Sequence, residues 1–304
     1  MKHTYKKILS AISSRLLFAL HGAAMVTLLV HYTGEKSFWI LFCGVFLLFI
    51  EMIVTLKMTK HGEWKWVSPV VFIYLWTMII PSVFLMELDS LKHRMNITNL
   101  TYHDCTETVY KKHARMVQGL EELIILVLII GRWLLPRGKM TRAQLSELLL
   151  TNLALGADIL DILQLMKEPS VKTNQTITVM GLCLFSWAIM QFTIVFTQTL
   201  STLPPDADVD GRFHSSSELK NCILSVCCTS EVWSVMISVG MQDGPFLIYR
   251  LYLVAREDVF NESMIFFICK NILTVIIQID RVVVFLIKEH RKSKKFKQSH
   301  LNLE

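Results

Sequence analysis

Ser37-Phe-Trp-Ile-Leu-Phe-Cys-Gly-Val-Phe-Leu-Leu-Phe-Ile-Glu51-Met-Ile-Val-Thr-Leu56 is a run of twenty residues with one charge, Glu51. An α-helix rises about 1.5 Å per residue, so about 20 apolar residues cross the ~30 Å hydrocarbon core of a bilayer. Working outward, the pattern recurs over 8–30, 66–86, 116–135, 145–166, 176–200, 218–240 and 262–287. A soluble helix would instead carry charge along an exposed face with a period of about 3.6 residues. The expected fold is therefore all-α: a polytopic integral membrane helical bundle of about eight transmembrane helices. Residues 1–288 form the membrane domain and 289–304 a basic cytoplasmic tail.

Composition agrees. Hydrophobic residues make up 53% and charged residues 18%, against roughly 25% charged in soluble domains. The net charge of +6 does not point to nucleic acid, because much of it sits in short runs beside apolar segments. These are Lys2, Lys6 and Lys7, then Arg132, Arg137, Lys139 and Arg142, then Arg291, Lys292, Lys294, Lys295 and Lys297. Such runs mark the cytoplasmic ends of membrane helices. They also attract anionic lipid headgroups by about 1 kcal/mol per charge. The expected partners are thus the lipid bilayer and anionic headgroups; the sequence names no protein partner.

Placing the N-terminus in the cytoplasm puts Lys57, Lys60 and Lys65, the Arg137–Arg142 loop and the basic C-terminal tail on that same side. The loops 31–36, 87–115, 167–175 and 241–261 then lie outside. The glycosylation sequons at Asn96, Asn99, Asn174 and Asn261 all fall in those outer loops. Asn174 and Asn261 abut spans, so Asn96 and Asn99 are the sites expected to be modified. A glycoprotein of the plasma membrane with both termini cytoplasmic is the expected localisation. Arg15 interrupts the first apolar stretch, which runs on to Val30, so it reads as an uncleaved span rather than a signal peptide. Six cysteines lie in apolar segments, where a thiol packs as a small hydrophobe. Cys105 alone stands in a polar loop.

Ionisable side chains inside spans are costly, and they point to function or to pairing. Glu147, Thr151, Asp158 and Asp161 share one face of the fifth span. Lys270, Asn271, Thr274, Gln278 and Arg281 share one face of the eighth. An acidic and a basic stripe on different helices invite interhelical pairing, either as a polar path or as a structural clamp. Arg15, Glu51 and Glu231 are further buried candidates with no partner assignable from sequence. The segment 241–256 is apolar but short, and Asp243-Gly244-Pro245 breaks a helix entering it. A broken or re-entrant segment is expected there, with Gln242, Asp243, Gly244, Pro245 and Arg250 as a candidate outer site. A carboxylate beside such a break could face substrate without a protein partner.

Two functional classes emerge. One is transport of a small ion, solute or lipid along a polar path between helices. The other is a non-enzymatic cell-surface scaffold or receptor-like partner-binding protein. Asp206-Ala-Asp208-Val-Asp210-Gly211 opens like a calcium loop, but Ser217 stands where the bidentate glutamate belongs. His93, His103, Cys105 and His113 have no zinc-site spacing. No nucleophile elbow, phosphate loop or dinucleotide fingerprint is present. No catalytic residue, metal or cofactor is therefore expected.

Several words of the chain are those of a known family. They are Arg15-Leu-Leu-Phe18 with His21, Lys65-Trp-Val-Ser-Pro69, Ile130-Gly-Arg-Trp-Leu-Leu-Pro136, Thr141-Arg-Ala-Gln-Leu-Ser146 and Ala157-Asp-Ile-Leu160. Gln242-Asp-Gly-Pro-Phe-Leu247, Arg250-Leu251 and Lys270-Asn271 continue the series. In these the chain resembles the transmembrane protein 26 family across nearly its whole length. The resemblance implies a multipass membrane protein and no established activity. The Gln242–Pro245 piece is also similar to the acidic-x-Pro segment of XK-related lipid scramblases, which places lipid among the candidate substrates.

Overall fold

The computed structural model describes residues 2–59, 67–97, 104–135, 142–168, 171, 174–194, 235–257 and 262–301. The chain forms two compact units, Met1–Phe196 and Thr197–Glu304. In the first, α1 (Lys2–Thr33) ends at Gly34, whose φ of 72° no β-carbon residue adopts easily. The Gly34 amide caps the helix by donating to the Val30 carbonyl at 2.9 Å. A 3₁₀ segment (Lys36–Phe42) then leads into α2 (Cys43–Met58). The next helices are α3 (Pro69–Tyr74), α4 (Ile80–Ile97), α5 (Asp104–Leu134), α6 (Arg142–Leu165) and α7 (Gln175–Ile189). The second unit contains α8 (Gly244–Glu257) and α9 (Glu262–Leu301). The all-α class holds.

Among the described residues, five helical stretches are long and apolar enough to cross a membrane: Ile8–Thr33, Lys36–Met58, Pro69–Lys92, Leu148–Leu165 and Gln175–Thr193. They coincide with the first, second, third, fifth and sixth expected spans. The fourth, 116–135, is helical to Leu134 and carries Glu121, Glu122 and Arg132. The eighth, 262–287, is continuous within α9. The seventh, 218–240, lies outside the described residues up to 234. The segment 87–115, expected as an outer loop, differs from a plain loop. α4 continues to Ile97 and α5 begins at Asp104, so the flanking spans extend as helices beyond the apolar stretch.

The first unit buries a few polar side chains within an apolar interior, and it leaves apolar side chains on its outer face as well. On α1, Ala11, Ser14, Arg15, Phe18, His21, Gly22, Met25 and Leu29 are buried along one stripe. Leu9, Ile12, Leu16 and Leu20 on the other face are exposed. Membrane helices associate in this way because lipid solvates leucine as well as a protein core does. α5 lies antiparallel to α1. The Ser10 hydroxyl donates to the Leu134 carbonyl at one end, and the His21 ring meets the Leu120 carbonyl further along. Between them Gly131 packs under the Phe18 ring, where a methyl group would collide with it. A single antiparallel bridge joins Val67 and Ile194, and the Ser68 amide donates to the Thr193 carbonyl at 2.8 Å. The start of the third span and the end of the sixth therefore share one side, as strict alternation of crossings requires.

Among the described residues two π turns interrupt the helices, and both precede a proline. One covers Leu75–Ile79 before Pro81, the other Val239–Asp243 before Pro245. In each, the residue preceding the proline donates five residues back, Ile80 to the Leu75 carbonyl and Gly244 to the Val239 carbonyl. Proline lacks an amide hydrogen, and its ring presses on the carbonyl four residues earlier. Widening that turn relieves the clash while backbone groups stay bonded, as hydrocarbon demands. The interruption expected at Asp243-Gly244-Pro245 takes this form. The chain stays helical through Gly244, at φ −65° and ψ −58°, rather than opening into a loop.

Candidate functional site

Among the described residues of the first unit, three polar clusters can be traced bond by bond. In the first, the Arg15 guanidinium grips the Glu51 carboxylate with both arms. Nε donates to Oε2 at 3.1 Å and an Nη to Oε1 at 3.0 Å. The Thr55 hydroxyl donates to the same Oε1 at 2.6 Å, and the second Arg15 Nη donates to the Ser14 hydroxyl at 3.3 Å. The two side chains are 3% and 6% exposed. Arg15 and Glu51, without an assignable partner in sequence, are thus partners of each other. A signal for this was present. Arg15 lies seven residues from the Ile8 end of the first expected span and Glu51 five from the Leu56 end of the second. In an antiparallel hairpin those positions lie near one depth. Glu231 lies outside the described residues.

The second cluster joins three helices. The Tyr74 hydroxyl is 2.8 Å from His21 Nδ1, and His21 Nε2 is 3.2 Å from the Leu120 carbonyl. A carbonyl only accepts, so Nε2 carries the hydrogen and Nδ1 accepts from the tyrosine. Tyr74 immediately precedes the first π turn. The third cluster was not legible as a pair. Glu121 of α5 is fully buried and accepts from Lys167, beyond the end of α6, at 2.9 Å. Nearby, Gln118 donates to Glu122 at 2.9 Å.

The acidic stripe of α6 is unevenly placed. Asp158 is buried, Asp161 half-buried and Thr151 exposed. Glu147 lies in the helix, and its side chain is outside the described atoms. The stripe of α9 is graded likewise. Asn271 is 1% exposed, Lys270, Thr274 and Gln278 are half-buried, and Arg281 is exposed. The Thr274 hydroxyl is spent on the Lys270 carbonyl at 2.9 Å. α6 belongs to the first unit and α9 to the second.

The second unit gathers polar side chains at its π turn. Gln242 and Asp243 are buried, and the Ser238 hydroxyl donates to Asp243 at 3.3 Å. The carboxylate expected to stand without a protein partner therefore has one, one helical turn earlier. Gly244 and Pro245 open α8. From this helix Arg250, 0% exposed, sets its guanidinium 4.8 Å from the Phe267 ring centroid of α9 and 5.7 Å from Phe246. Lys270 stands 5.7 Å from the same Phe267 ring. The aromatic partners were missed because phenylalanines in an apolar helix look like any lipid-facing residue. Both Asn271 amide atoms are buried with no hydrogen-bond partner.

Of the sequons, Asn96 stands next to last in α4, and its side chain, like all of Asn99, lies outside the described atoms. Asn174 is committed as the N-cap of α7, its side-chain oxygen accepting from the Thr176 amide at 3.1 Å. Among the described residues no group of three or more histidine, cysteine or acidic side chains is arranged to hold a metal. The Asp206–Gly211 loop is outside them.

Apolar helices of spanning length, with ion pairs buried between them and large apolar side chains exposed on their outer faces, define a polytopic α-helical membrane protein. Within that class, the family model described as transmembrane protein 26 matches residues 6–281, and the chain belongs to that family. No solved structure matches the chain.

Proposed function

We propose that the protein moves a small ion, solute or lipid along a polar path between helices, with the second π turn as part of that path. The observation that supports this reading is the burial of Gln242, Asp243 and Arg250 on one irregular helical segment. π turns recur at functional sites because they re-aim side chains and loosen the hydrogen-bond ladder locally. Ionisable groups at membrane depth are costly enough that they are kept for a purpose. In this reading both termini are cytoplasmic, the Asn96 and Asn99 sequons face outside at the plasma membrane, and the basic runs rest on anionic headgroups.

The test is flux through purified protein in liposomes. Asp243→Asn keeps size and most hydrogen bonding while removing the charge. It is expected to reach the cell surface at normal abundance and to lose the flux of the wild type. If well-folded wild-type protein moves no ion, amino acid or labelled lipid across a broad panel, the transport reading falls. The scaffold then takes its place. One observation favours that second reading: the buried Arg15–Glu51 pair is closed on itself, with Ser14 and Thr55 taking up its remaining bonds, as a clamp that fixes helix register is.

A further inference from the structure

The third span begins at a helix end whose donors are unused. Ser68 is its N-cap, with extended backbone at φ −93° and ψ 99°, and Pro69 follows at the first helical position. From there α3, the first π turn and the start of α4 run on as one helical stretch, Pro69–Lys92. The first intrahelical bond is that of the Phe72 amide, which donates to the Ser68 carbonyl at 3.1 Å. Proline has no amide hydrogen, so the amides left over at this end are those of Val70 and Val71. Neither has an acceptor among the described residues. A serine at the N-cap ordinarily accepts from one of them. Here the Ser68 side chain makes no such bond, and its hydroxyl has no hydrogen-bond partner.

Burial makes this arrangement costly. Ser68 is 1% exposed, Val70 1% and Val71 3%, so bulk water has little access to the three donors. The Ser68 amide is already spent on the Thr193 carbonyl at 2.8 Å, and the Val67–Ile194 bridge fixes the N-cap against the end of the sixth span. Two N–H groups and one O–H group therefore lie within a single turn with no acceptor to answer them. A buried donor left so bears its full desolvation cost. Native structures rarely keep one without a bound molecule to satisfy it. The helix dipole adds about half a positive charge at the same end. The chain leading in is basic, with Lys57, Lys60 and Lys65 against Glu63 over residues 57–67, and such a surplus draws anions.

We infer that the Ser68 hydroxyl and the Val70 and Val71 amides bind an oxyanion of the phosphate class, either free phosphate or the phosphate of a lipid headgroup. Free amides and the dipole at a helix N-terminus hold phosphate in this way, and the hydroxyl supplies a third donor. The start of a span stands at the level of the headgroups, where both sources reach it. The site uses no residue of the second π turn and does not rest on the transport reading.

The experiment follows thermal melting of the full chain, purified in neutral detergent. The probes are inorganic phosphate, dihexanoyl phosphatidate, uncharged dihexanoylglycerol, and sodium chloride at matched ionic strength. A phosphate-bearing probe is expected to raise the melting midpoint, and dihexanoylglycerol and chloride to leave it unchanged. Stabilisation by inorganic phosphate identifies a free anion; stabilisation by phosphatidate alone identifies a headgroup. Ser68→Ala removes a donor that has no protein partner. It is expected to melt with the wild type when unliganded, yet to bind the stabilising probe about tenfold more weakly. Ser68→Asp brings a carboxylate of its own to the same two amides. It is expected to melt above the wild type when unliganded and to lose the response to the probe. No shift with either phosphate-bearing probe would overturn the inference, as would equal shifts with dihexanoylglycerol or chloride. So would wild-type affinity in Ser68→Ala, or a large drop in its unliganded midpoint, which would reveal a protein partner for the hydroxyl. A Ser68→Asp chain that melts lower or does not fold would count against it equally, because a site made of donors accommodates a carboxylate.

Discussion

Replacing Glu51 by leucine should be among the most damaging single changes in the first unit. The substitution removes both oxygens that the Arg15 guanidinium grips at 3.0 and 3.1 Å. The Ser14 hydroxyl at 3.3 Å is the hydrogen bond that survives in this cluster. Hydrogen bonds to charged groups contribute about 1.5–3 kcal/mol each. Breaking a buried pair by removing one partner costs about 3–5 kcal/mol, because the other charge is stranded. With Arg15 only 3% exposed, the full range applies. Glu51→Gln should fall in between, since an amide still accepts one bond but neutralises nothing. The double variant Arg15→Met with Glu51→Leu strands no charge, and such apolar replacements run from neutral to about 1–4 kcal/mol stabilising. The folded fraction after graded heating in detergent, read by size exclusion, gives the ranking. Glu51→Leu should melt lowest and the double variant near the wild type. Two results would refute the reasoning: a single variant that melts like wild type, or a double variant that loses the sum of both single losses. Either would mean that the pair is not desolvated and coupled as its geometry requires.

Two further predictions concern topology and the Glu121–Lys167 pair. Asn96→Gln with Asn99→Gln should remove most of a glycosidase-sensitive mobility shift. A segment 87–115 that resists external protease until cells are permeabilised would reverse the orientation. Lys167→Met should strand the buried Glu121 carboxylate and lower folded yield, and Glu121→Gln in the same chain should partly restore it; strictly additive losses would show that the two are not coupled.

Most of the class was legible in the sequence, because hydrocarbon imposes a simple rule. Backbone groups must be satisfied internally, so a span reads as about 20 apolar residues whatever its neighbours are. Leu9, Ile12, Leu16 and Leu20 needed no tertiary partner to be placed in lipid. The prolines at 81 and 245 likewise announced where a helix would be disturbed. The form of the disturbance was not legible. A proline can end a helix, kink it or widen one turn, and in the folded chain both prolines follow a widened π turn. Pairing was harder still. Glu121 and Lys167 lie 46 positions apart, and Arg250 meets Phe267 across a helix hairpin. Hydropathy records how apolar a segment is, but not which face of it meets which neighbour. Asn271 shows the gap most directly. In the sequence it is one polar residue of a stripe that also holds Lys270, Gln278 and Arg281. Only the rotation of α9 in the folded chain buries Asn271 while leaving Arg281 exposed. That rotation is set by side chains packing between helices, a property of the bundle rather than of any one segment.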